Sequence, residues 1–449
     1  MLLASQRQIV LTALVRMERD GAYSGLVIKD ALTTLSPQEA AFAAALFYGV
    51  IERALTLDAI IQQHSKTPLH KMDAAVRAIL RMGVYQISYM DSVPDSAAVN
   101  ESVKLCKTSK KASAAGFVNA ILRAVIRAGK QPKFSGAPED GARMSAEFSF
   151  PMPLVTMLAA RFGQARTRAI LARSIGAAPM YARVNTLKTT AQTLILRLAQ
   201  EGVTAAAHEV IPECLSLYHT GDITRLASFC EGLFHIQDAS SQLCALAVEA
   251  KPGMTVLDLC AAPGGKSFTI AQCMQNSGAL HSFDLYEFKA DLIRKGAERL
   301  GISIMTAQTG DAAQYNPEVP MADRVLCDAP CSGYGVMRRK PEIKYKPLDS
   351  FGELEQMQAV LLANAARYVR PGGMLVYSTC TLRREENERI ADAFLRNSPA
   401  FVPSPLTGPL VRCHSEAAHM ATILPDDFDS DGFFVAAFVR TGEPHEHDR

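Results

Sequence analysis

Two cysteines follow apolar runs in the C-terminal half of the chain, at positions where an active site could use a thiol. Cys331 lies in the segment VLCDAPCSG (325–333), and Cys380 ends MLVYSTC (374–380). A thiolate can add to carbon 6 of a pyrimidine, and a second thiol can serve as general acid or base when the product is released. A third segment, LDLCAAPGGK (257–266), is typical of a nucleotide-cofactor loop. Together the three segments predict methyl transfer to carbon 5 of cytosine.

The cofactor loop is predicted to join a strand to the helix SFTIAQCM (267–274). Its small residues allow a ligand close to the backbone, and a helix N-terminus favours an anion. A phosphate or the carboxylate of S-adenosylmethionine would fit. The spacing matches neither the dinucleotide fingerprint nor a P-loop, which argues against a nicotinamide-dependent oxidoreductase. The predicted loop residues are Cys260, Ala261, Ala262, Pro263, Gly264, Gly265 and Lys266.

Three aspartates follow successive predicted strands. Asp284 is placed to accept from ribose hydroxyls, and Asp311, in GDA, is placed to meet an adenine edge. The alternative is that both are ordinary cap or turn residues. Asp328, three residues before Cys331, is placed to act on nitrogen 3 of a cytosine ring.

Apolar runs and helical stretches alternate from about residue 236, which predicts an α/β domain with a mostly parallel sheet. Residues 1–130 are predicted to be all-helical, with one helix beginning at Ser36-Pro37 and continuing through AAFAAALFYGVIERALTLDAIIQQH (40–64). A linker is expected over 131–145, a small α+β connecting domain over 146–235, the α/β domain over 236–441 and a solvated tail over 442–449. The predicted strands of the α/β domain are TVLDL, ALHSFDL, ISIMTAQ, RVLCDAP, GMLVYSTC and DGFFVAAFVR.

Composition sets the remaining bounds. The chain has 449 residues, a net charge of +2 and ten cysteines. No Cys-x-x-Cys or Cys/His metal spacing occurs, so no metal is expected. The N-terminal segment is predicted to be an amphipathic helix rather than a signal peptide, and no apolar run approaches a membrane span. A cytoplasmic protein with free thiols is therefore expected, and nothing in the sequence demands an oligomer.

Five motifs carry a family resemblance: CAAPGGK, DAPCSG, RRKPEIK (338–344), YSTC and DGFF. In this order they resemble the Sun/Fmu family of RNA 5-methylcytosine methyltransferases. The N-terminal segments AVNESVKL and GFVNAILR resemble the NusB RNA-binding domain. The resemblance implies a Rossmann-like, S-adenosylmethionine-dependent methyltransferase domain preceded by a NusB-like helical domain. It also implies 16S ribosomal RNA as substrate, either free or in an assembly intermediate.

The resemblance assigns roles to the thiols and the carboxylates. It implies that Cys380 is the nucleophile and that Cys331 assists product release, whereas the Pro-Cys motif alone favours Cys331 as nucleophile. It implies that residues 260–266 bind S-adenosylmethionine together with Asp284, Asp311 and Asp328. Two departures from the family pattern are mild: Tyr334-Gly335 stands where Thr-Gly is usual, and Lys289 stands where Arg is frequent.

Two basic clusters are predicted to contact RNA phosphates, although a basic run can equally be a solvated face. Other interpretations also remain open: a methyltransferase acting on transfer RNA or another ribosomal site, or a non-catalytic RNA-binding assembly factor. The predicted RNA-binding residues are Lys104, Lys107, Lys110, Lys111, Arg338, Arg339, Lys340 and Lys344.

Overall fold

The computed structural model describes residues 5–20, 24–130 and 132–442. The chain forms two compact units: Met1–Ile175 with Arg339–Leu348, and Gly176–Arg338 with Asp349–Arg449. The first unit therefore receives a ten-residue segment from late in the sequence. Almost all of the predicted tail over 442–449 lies outside the described residues.

The first unit is helical throughout its described part. Phe47, Leu80 and Leu122 are among the side chains that form its core. Its helices are α1 (Gln6–Asp20), α2 (Ser24–Leu32), α3 (Pro37–Glu52), α4 (Ala54–His64), α5 (Ala74–Tyr89), α6 (Asp95–Thr108), α7 (Ala115–Arg127), α8 (Gly141–Phe148), α9 (Met152–Phe162) and α10 (Gln164–Arg173).

The predicted start of α3 is confirmed: Ser36 and Glu39 form a reciprocal capping box, with Pro37 at the first helical position. The single long helix predicted from there is instead broken at Arg53 into α3 and α4. The Leu55 amide donates to Ser149 Oγ (2.9 Å) rather than continuing a helical ladder. A partner so distant in sequence cannot be found from periodicity.

The segment predicted as a linker, 131–145, contains the start of α8. Asp140 caps this helix by accepting from the Arg143 amide (3.0 Å), and Glu147 on α8 pairs with Arg168 on α10 (2.6 Å). The prediction of an irregular linker is wrong for these residues, because a cap and a cross-helix ion pair stabilise a short helix that has few apolar residues.

The second unit contains two sheets. Its elements are β1 (Met180–Val184), α11 (Ala191–Gln200), β2 (Thr204–Ala207), β3 (Cys214–Tyr218), α12 (Ala227–Cys230), β4 (Phe234–Ile236), α13 (Ala239–Leu246), β5 (Thr255–Asp258), α14 (Gly265–Cys273), β6 (Ala279–Asp284), α15 (Glu287–Leu300), β7 (Met305–Thr309), β8 (Ala322–Asp328), α16 (Gly352–Ala366), β9 (Val369–Thr379), α17 (Glu388–Asn397), β10 (Phe401–Pro403), β11 (Met420–Ile423) and β12 (Phe433–Arg440).

The small sheet is antiparallel, in the order β2-β3-β1-β4. It packs onto the rest of the unit: Tyr181 and Cys214 share a core cluster with Val256 of β5. Asn185 also donates to the Leu300 carbonyl (2.8 Å) at the end of α15. The small α+β region and the larger sheet therefore form one compact unit.

The larger sheet has the order β10-β12-β9-β8-β5-β6-β7, with β11 paired to β12. Strands β5 to β9 are parallel, and β12 is antiparallel to β9. The neighbours Val256 and Leu257 enter different core clusters, as expected when both faces of a sheet are covered. The predicted α/β class is confirmed, and the carboxyl ends of β5, β6, β8 and β9 meet at one edge.

Among the described residues, no single helix combines the length and apolarity of a membrane span. Helices α3 and α4 would do so together by length and composition only, and they meet at a bend of 76°.

Candidate active site

The two thiols predicted from the motifs lie in contact. Cys331 follows β8 and Cys380 follows β9, and these strands are parallel neighbours. Their Sγ atoms are 3.1 Å apart, and the Cys380 amide lies 3.2 Å from Cys331 Sγ. Both side chains are half-buried and neither forms a disulfide. The fold therefore places two reduced thiols in contact at the carboxyl edge of the sheet.

A buried ion pair adjoins the thiols. Lys266, at the start of α14, donates through Nζ to Asp328 Oδ2 (2.7 Å), and Ser378 donates through Oγ to Asp328 Oδ1 (2.6 Å). Burial disfavours the charge of Lys266, but Asp328 outweighs burial and raises the lysine pKa. Lys266 is therefore a permanent cation in the site, and Asp328 is fixed in one orientation.

The two thiols differ in acidity. The hydrogen bond from Cys331 lowers the pKa of Cys380 despite burial and the nearby Asp328 carboxylate, which both raise it, and Lys266 acts in the same direction as the hydrogen bond. The same bond, together with burial, raises the pKa of Cys331 well above its usual range. The Cys380 amide favours the opposite assignment, but it is a neutral donor. We assign the thiolate to Cys380 because the Asp328 carboxylate beside it is paired with Lys266, whereas the carboxylate that acts on Cys331 is that of the buried Glu386.

Close backbone contacts hold the loop after β8. The Gly335 amide donates to the Cys380 carbonyl (2.9 Å), and the Gly432 amide donates to the Gly335 carbonyl (2.8 Å). A Cβ atom at Gly335 would lie 1.8 Å from the Gly432 oxygen. Only glycine fits at position 335, so the segments SGYG, STC and DGFF are in direct contact around the thiols.

The cofactor loop lies at the carboxyl end of β5. Gly264 has φ +107°, in the left-handed region, and a Cβ there would lie 2.4 Å from the Phe268 ring. The peptide between Ala262 and Pro263 is cis. Helix α14 then begins at Gly265, so its first amides have no partner within the helix. This end of α14 suits a carboxylate.

Asp284 and Asp311 lie at the ends of the next two strands. Asp284 is 7% exposed and pairs with Lys289 (3.3 Å). Asp311 accepts from the Ala313 amide and the Gln314 side chain (both 2.9 Å), as in the alternative interpretation as a turn cap. Asp311 also lines a cavity of about 140 Å³ that includes Leu259, Phe283, Gly310 and Tyr368. A cavity lined by both apolar and polar side chains, with one carboxylate among them, suits a heterocyclic base.

The same arrangement of domains occurs in known proteins. Three family models match the chain: "16S rRNA methyltransferase RsmB/F" over residues 245–439, "NusB family" over 4–127, and "Methyltr_RsmF/B-like, ferredoxin-like domain" over 150–224. The probable ribosomal RNA small subunit methyltransferase B of Bacillus subtilis is 36% identical, covering 98% of this chain and 99% of the relative. The chain belongs to the ribosomal RNA small subunit methyltransferase B family.

Two further matches have similar coverage. The probable methyltransferase B of Synechocystis sp. is 35% identical, over 96% of this chain and 98% of the relative. The crystal structure of PH0851 matches with a TM-score of 0.77 and 25% identity, over 96% of this chain and 98% of that one. The predicted NusB-like and Rossmann-like regions are therefore family features, and the small sheet belongs to the ferredoxin-like region.

Two of the basic residues predicted to contact RNA are unsuited to that role in this member of the methyltransferase B family. Lys344 is 1% exposed, donates to the Glu52 carbonyl (2.6 Å) and lies 4.4 Å from the Phe150 ring centroid. Burial lowers the pKa of Lys344 to about 7. Arg338 is largely buried and pairs with Asp429 (2.8 Å). Neither side chain is presented to a phosphate, so these two predictions are wrong.

The other six basic residues have different surroundings. Lys104 and Lys107 on α6 are exposed, as are Lys110, Arg339 and Lys340. Lys111 pairs with Asp73 (2.6 Å). The RNA-binding role of these residues remains a prediction.

Side chains that the sequence motifs did not single out surround the thiols of this methyltransferase B relative. Glu386 and Asn387 are fully buried beside the two cysteine-bearing loops. They lie in TLRREENER, six and seven residues after Cys380, in a polar run that has no strand or helix period. The one sequence signal that could have marked Glu386 and Asn387 is their polarity in a segment that follows a core strand.

Proposed function

We propose that this protein transfers a methyl group from S-adenosylmethionine to carbon 5 of a cytosine in 16S ribosomal RNA. The observation that carries the proposal is the contact between Cys331 and Cys380, 3.1 Å apart, beside the pair of Lys266 and Asp328. The family to which the chain belongs supports ribosomal RNA as the substrate.

The chain's own residues would divide the chemistry. The Cys380 thiolate adds to carbon 6 of cytosine, which makes carbon 5 nucleophilic. Asp328, held by Lys266 and Ser378, meets the ring at nitrogen 3. After carbon 5 has taken the methyl group, its proton passes to a base and the electron pair of that C–H bond re-forms the ring double bond. The bond between carbon 6 and sulfur then breaks, Cys380 leaves as the thiolate, and Cys331 assists this release. The covalent bond between cysteine and cytosine is thus temporary.

The residues at the ends of β5, β6 and β7 fit S-adenosylmethionine. Residues 260–266 and the start of α14 would hold its carboxylate, Asp284 its ribose and Asp311 its adenine edge. When bound, it supplies the methyl group as an electrophile. We further propose a monomer in the cytoplasm that binds RNA through exposed lysines of α6.

The test is methylation of 16S RNA, supplied both free and in small-subunit assembly particles, followed by bisulfite mapping. We expect methylation at a defined cytosine. Cys380→Ala should reduce methylation by at least about 10³-fold without loss of cofactor binding. Cys331→Ala should accumulate a protein–RNA adduct that survives denaturation. The matched control is Cys230→Ala, at an exposed cysteine of α12, which should keep wild-type activity.

Several outcomes would contradict the proposal. Wild-type turnover by Cys380→Ala would exclude the nucleophile assignment. Absence of an adduct with both Cys331→Ala and a 5-fluorocytosine RNA would exclude the release role. Methylation of transfer RNA but not of 16S RNA in either form would overturn the substrate.

A further inference from the structure

The loop that carries Cys331 is held by one buried carboxylate. Glu386 accepts from the Ser332 amide through Oε2 (2.8 Å) and from the Ser332 hydroxyl through Oε1 (2.5 Å). The Gln358 amide donates both to Glu386 Oε2 (3.0 Å) and to the Pro330 carbonyl (2.9 Å). Pro330 and Ser332 are the two neighbours of Cys331 in the chain. The Glu386 carboxylate therefore fixes the backbone after this thiol directly and the backbone before it through Gln358.

Asn387, the next residue in the chain, fixes the backbone on both sides of the other thiol, Cys380. Asn387 accepts from the Thr379 hydroxyl through Oδ1 (2.5 Å) and donates through Nδ2 to the Thr381 carbonyl (2.9 Å). Thr379 and Thr381 flank Cys380. Because residues 386 and 387 are consecutive, the two loops are fixed relative to each other through a single peptide unit.

The two thiols have different charged neighbours. Cys380 lies near the pair of Lys266 and Asp328, whose charges act on its pKa in opposite directions, whereas the Glu386 carboxylate contributes to the raised pKa of Cys331. Arg383 balances the buried carboxylate, since it pairs with Glu386 (3.1 Å) and also with Glu355 (2.9 Å). Glu386 is fully buried, and Glu355 is partly exposed. The negative charge nearest the Cys331 loop is therefore the buried one at Glu386, and Glu355 is the more solvated of the two carboxylates.

We propose that Glu386 is a positioning residue that holds Cys331 against Cys380 as the proton-bearing partner of the thiol pair. The role of Glu386 in catalysis rests on the proposed function. The difference between the thiols is a property of the free protein, so it can be measured without RNA or cofactor. Failure of the role proposed for Glu386 can therefore be distinguished from failure of the proposed function.

The experiment compares alkylation of the two thiols in the full chain. Wild-type protein and Glu386→Gln are treated with iodoacetamide at pH 7, and modification of each cysteine is followed by peptide mass spectrometry. We expect Cys380 to react faster in the wild type. In Glu386→Gln the ratio of the Cys380 rate to the Cys331 rate should fall about tenfold, the equivalent of one pKa unit.

Two further variants make the result specific. Glu355→Gln removes the other carboxylate bound to Arg383 but does not contact Ser332, and it should keep the ratio within about twofold of the wild type. Ser332→Ala keeps the carboxylate and loses the hydroxyl contacts with Glu386 and Thr381, so it should give an intermediate ratio even if Glu386→Gln fails to fold. Circular dichroism and thermal unfolding identify folded variants.

The inference is overturned if Glu386→Gln is folded and keeps the wild-type ratio, if Glu355→Gln lowers the ratio equally, or if Ser332→Ala has no effect. Methyl transfer to 16S RNA is measured in parallel. An absence of methylation in the wild type would count against the proposed function while leaving the thiol ratios as the test of Glu386.

Discussion

Asp258 shows how burial alone changes the behaviour of a residue beside the candidate cofactor site. It ends β5, is fully buried and accepts from the Ser267 hydroxyl (2.6 Å). Burial raises its pKa from 3.8 to about 7. The folded protein therefore holds the proton more tightly than the unfolded chain does. Stability from this group is complete at low pH and is lost as the pH rises through the range from about 4 to about 7.

We expect Asp258→Asn to remove this pH dependence, because an amide keeps an acceptor for Ser267 and does not ionise. Relative to the wild type, the variant should gain on the order of 1–4 kcal/mol in free energy of unfolding between pH 5 and pH 8. Urea unfolding at both values measures the difference. Asp349→Asn, at an exposed carboxylate, serves as control. Parallel pH profiles for wild type and Asp258→Asn would contradict the expectation.

Residue types and motifs predicted the thiols, the cofactor loop and the three aspartates, but not the residues that support them. Glu386 contacts Ser332, which is 54 positions away, and no local pattern records such a contact. Basic charge was a poor guide to the RNA-binding residues, because a basic side chain can be buried in the protein. Lys344 belongs to a basic cluster, which predicts an RNA contact. It instead packs against Phe150 and donates to the Glu52 carbonyl.

The order of the strands decides which loops meet. Because β8 and β9 are parallel neighbours, their carboxyl ends bring Cys331 and Cys380 to one edge. Strand β12 runs antiparallel to β9, with Phe434 opposite Thr379, so the loop before β12 reaches the same edge. This loop contains Gly432, whose carbonyl lies against Gly335.

Gly335→Ala should therefore disturb the thiol loops. The added methyl group would meet two carbonyl oxygens, those of Gly432 and Cys380, rather than a flexible side chain. We expect a loss of about 1–3 kcal/mol in free energy of unfolding and a marked loss of methylation. Urea unfolding and the methylation assay measure both. Gly352→Ala, at the start of α16 with nothing within 4 Å, should be neutral or slightly stabilising. Equal behaviour of the two variants would contradict the close contact.

Long runs with a strong periodicity predicted the core strands, whereas short elements with a weak periodicity were not predicted. The predicted runs around 255, 279, 305, 324, 374 and 433 correspond to the strands β5, β6, β7, β8, β9 and β12. The short strands β10 and β11 were not predicted, because three or four residues carry little periodicity. The start of α8 and the break between α3 and α4 depend on contacts with distant residues, which sequence spacing does not encode.

At the scale of the molecule, a net charge of +2 conceals an uneven distribution of basic residues. Within the first unit, Lys104 and Lys107 are exposed on α6, whereas Lys344 is buried. Only exposed cations can displace counterions from an RNA backbone. The proposed RNA-binding surface therefore includes fewer basic residues than the sequence predicted.

The double variant Lys104→Glu, Lys107→Glu should weaken RNA binding by about tenfold or more and leave cofactor binding unchanged. The slope of log affinity against log salt should fall by about 1.4–1.8, as for two lost phosphate contacts. Filter binding over a salt series measures both quantities. Lys29→Glu, Lys66→Glu makes the same charge change at exposed lysines elsewhere in the unit. If the two double variants weaken binding equally, α6 has no specific role.

The insertion of Arg339–Leu348 into the first unit has a consequence for synthesis on the ribosome. Helices α1 to α10 leave the exit tunnel early, but Lys344 and Tyr345, which bond to the Glu52 and Ile51 carbonyls, are translated about 170 residues after Ile175. At roughly 5–20 residues per second, the nascent unit waits on the order of 8–30 s for its final packing partners. During that interval the surface around the Ile51 and Glu52 carbonyls lacks these two partners and is open to chaperones.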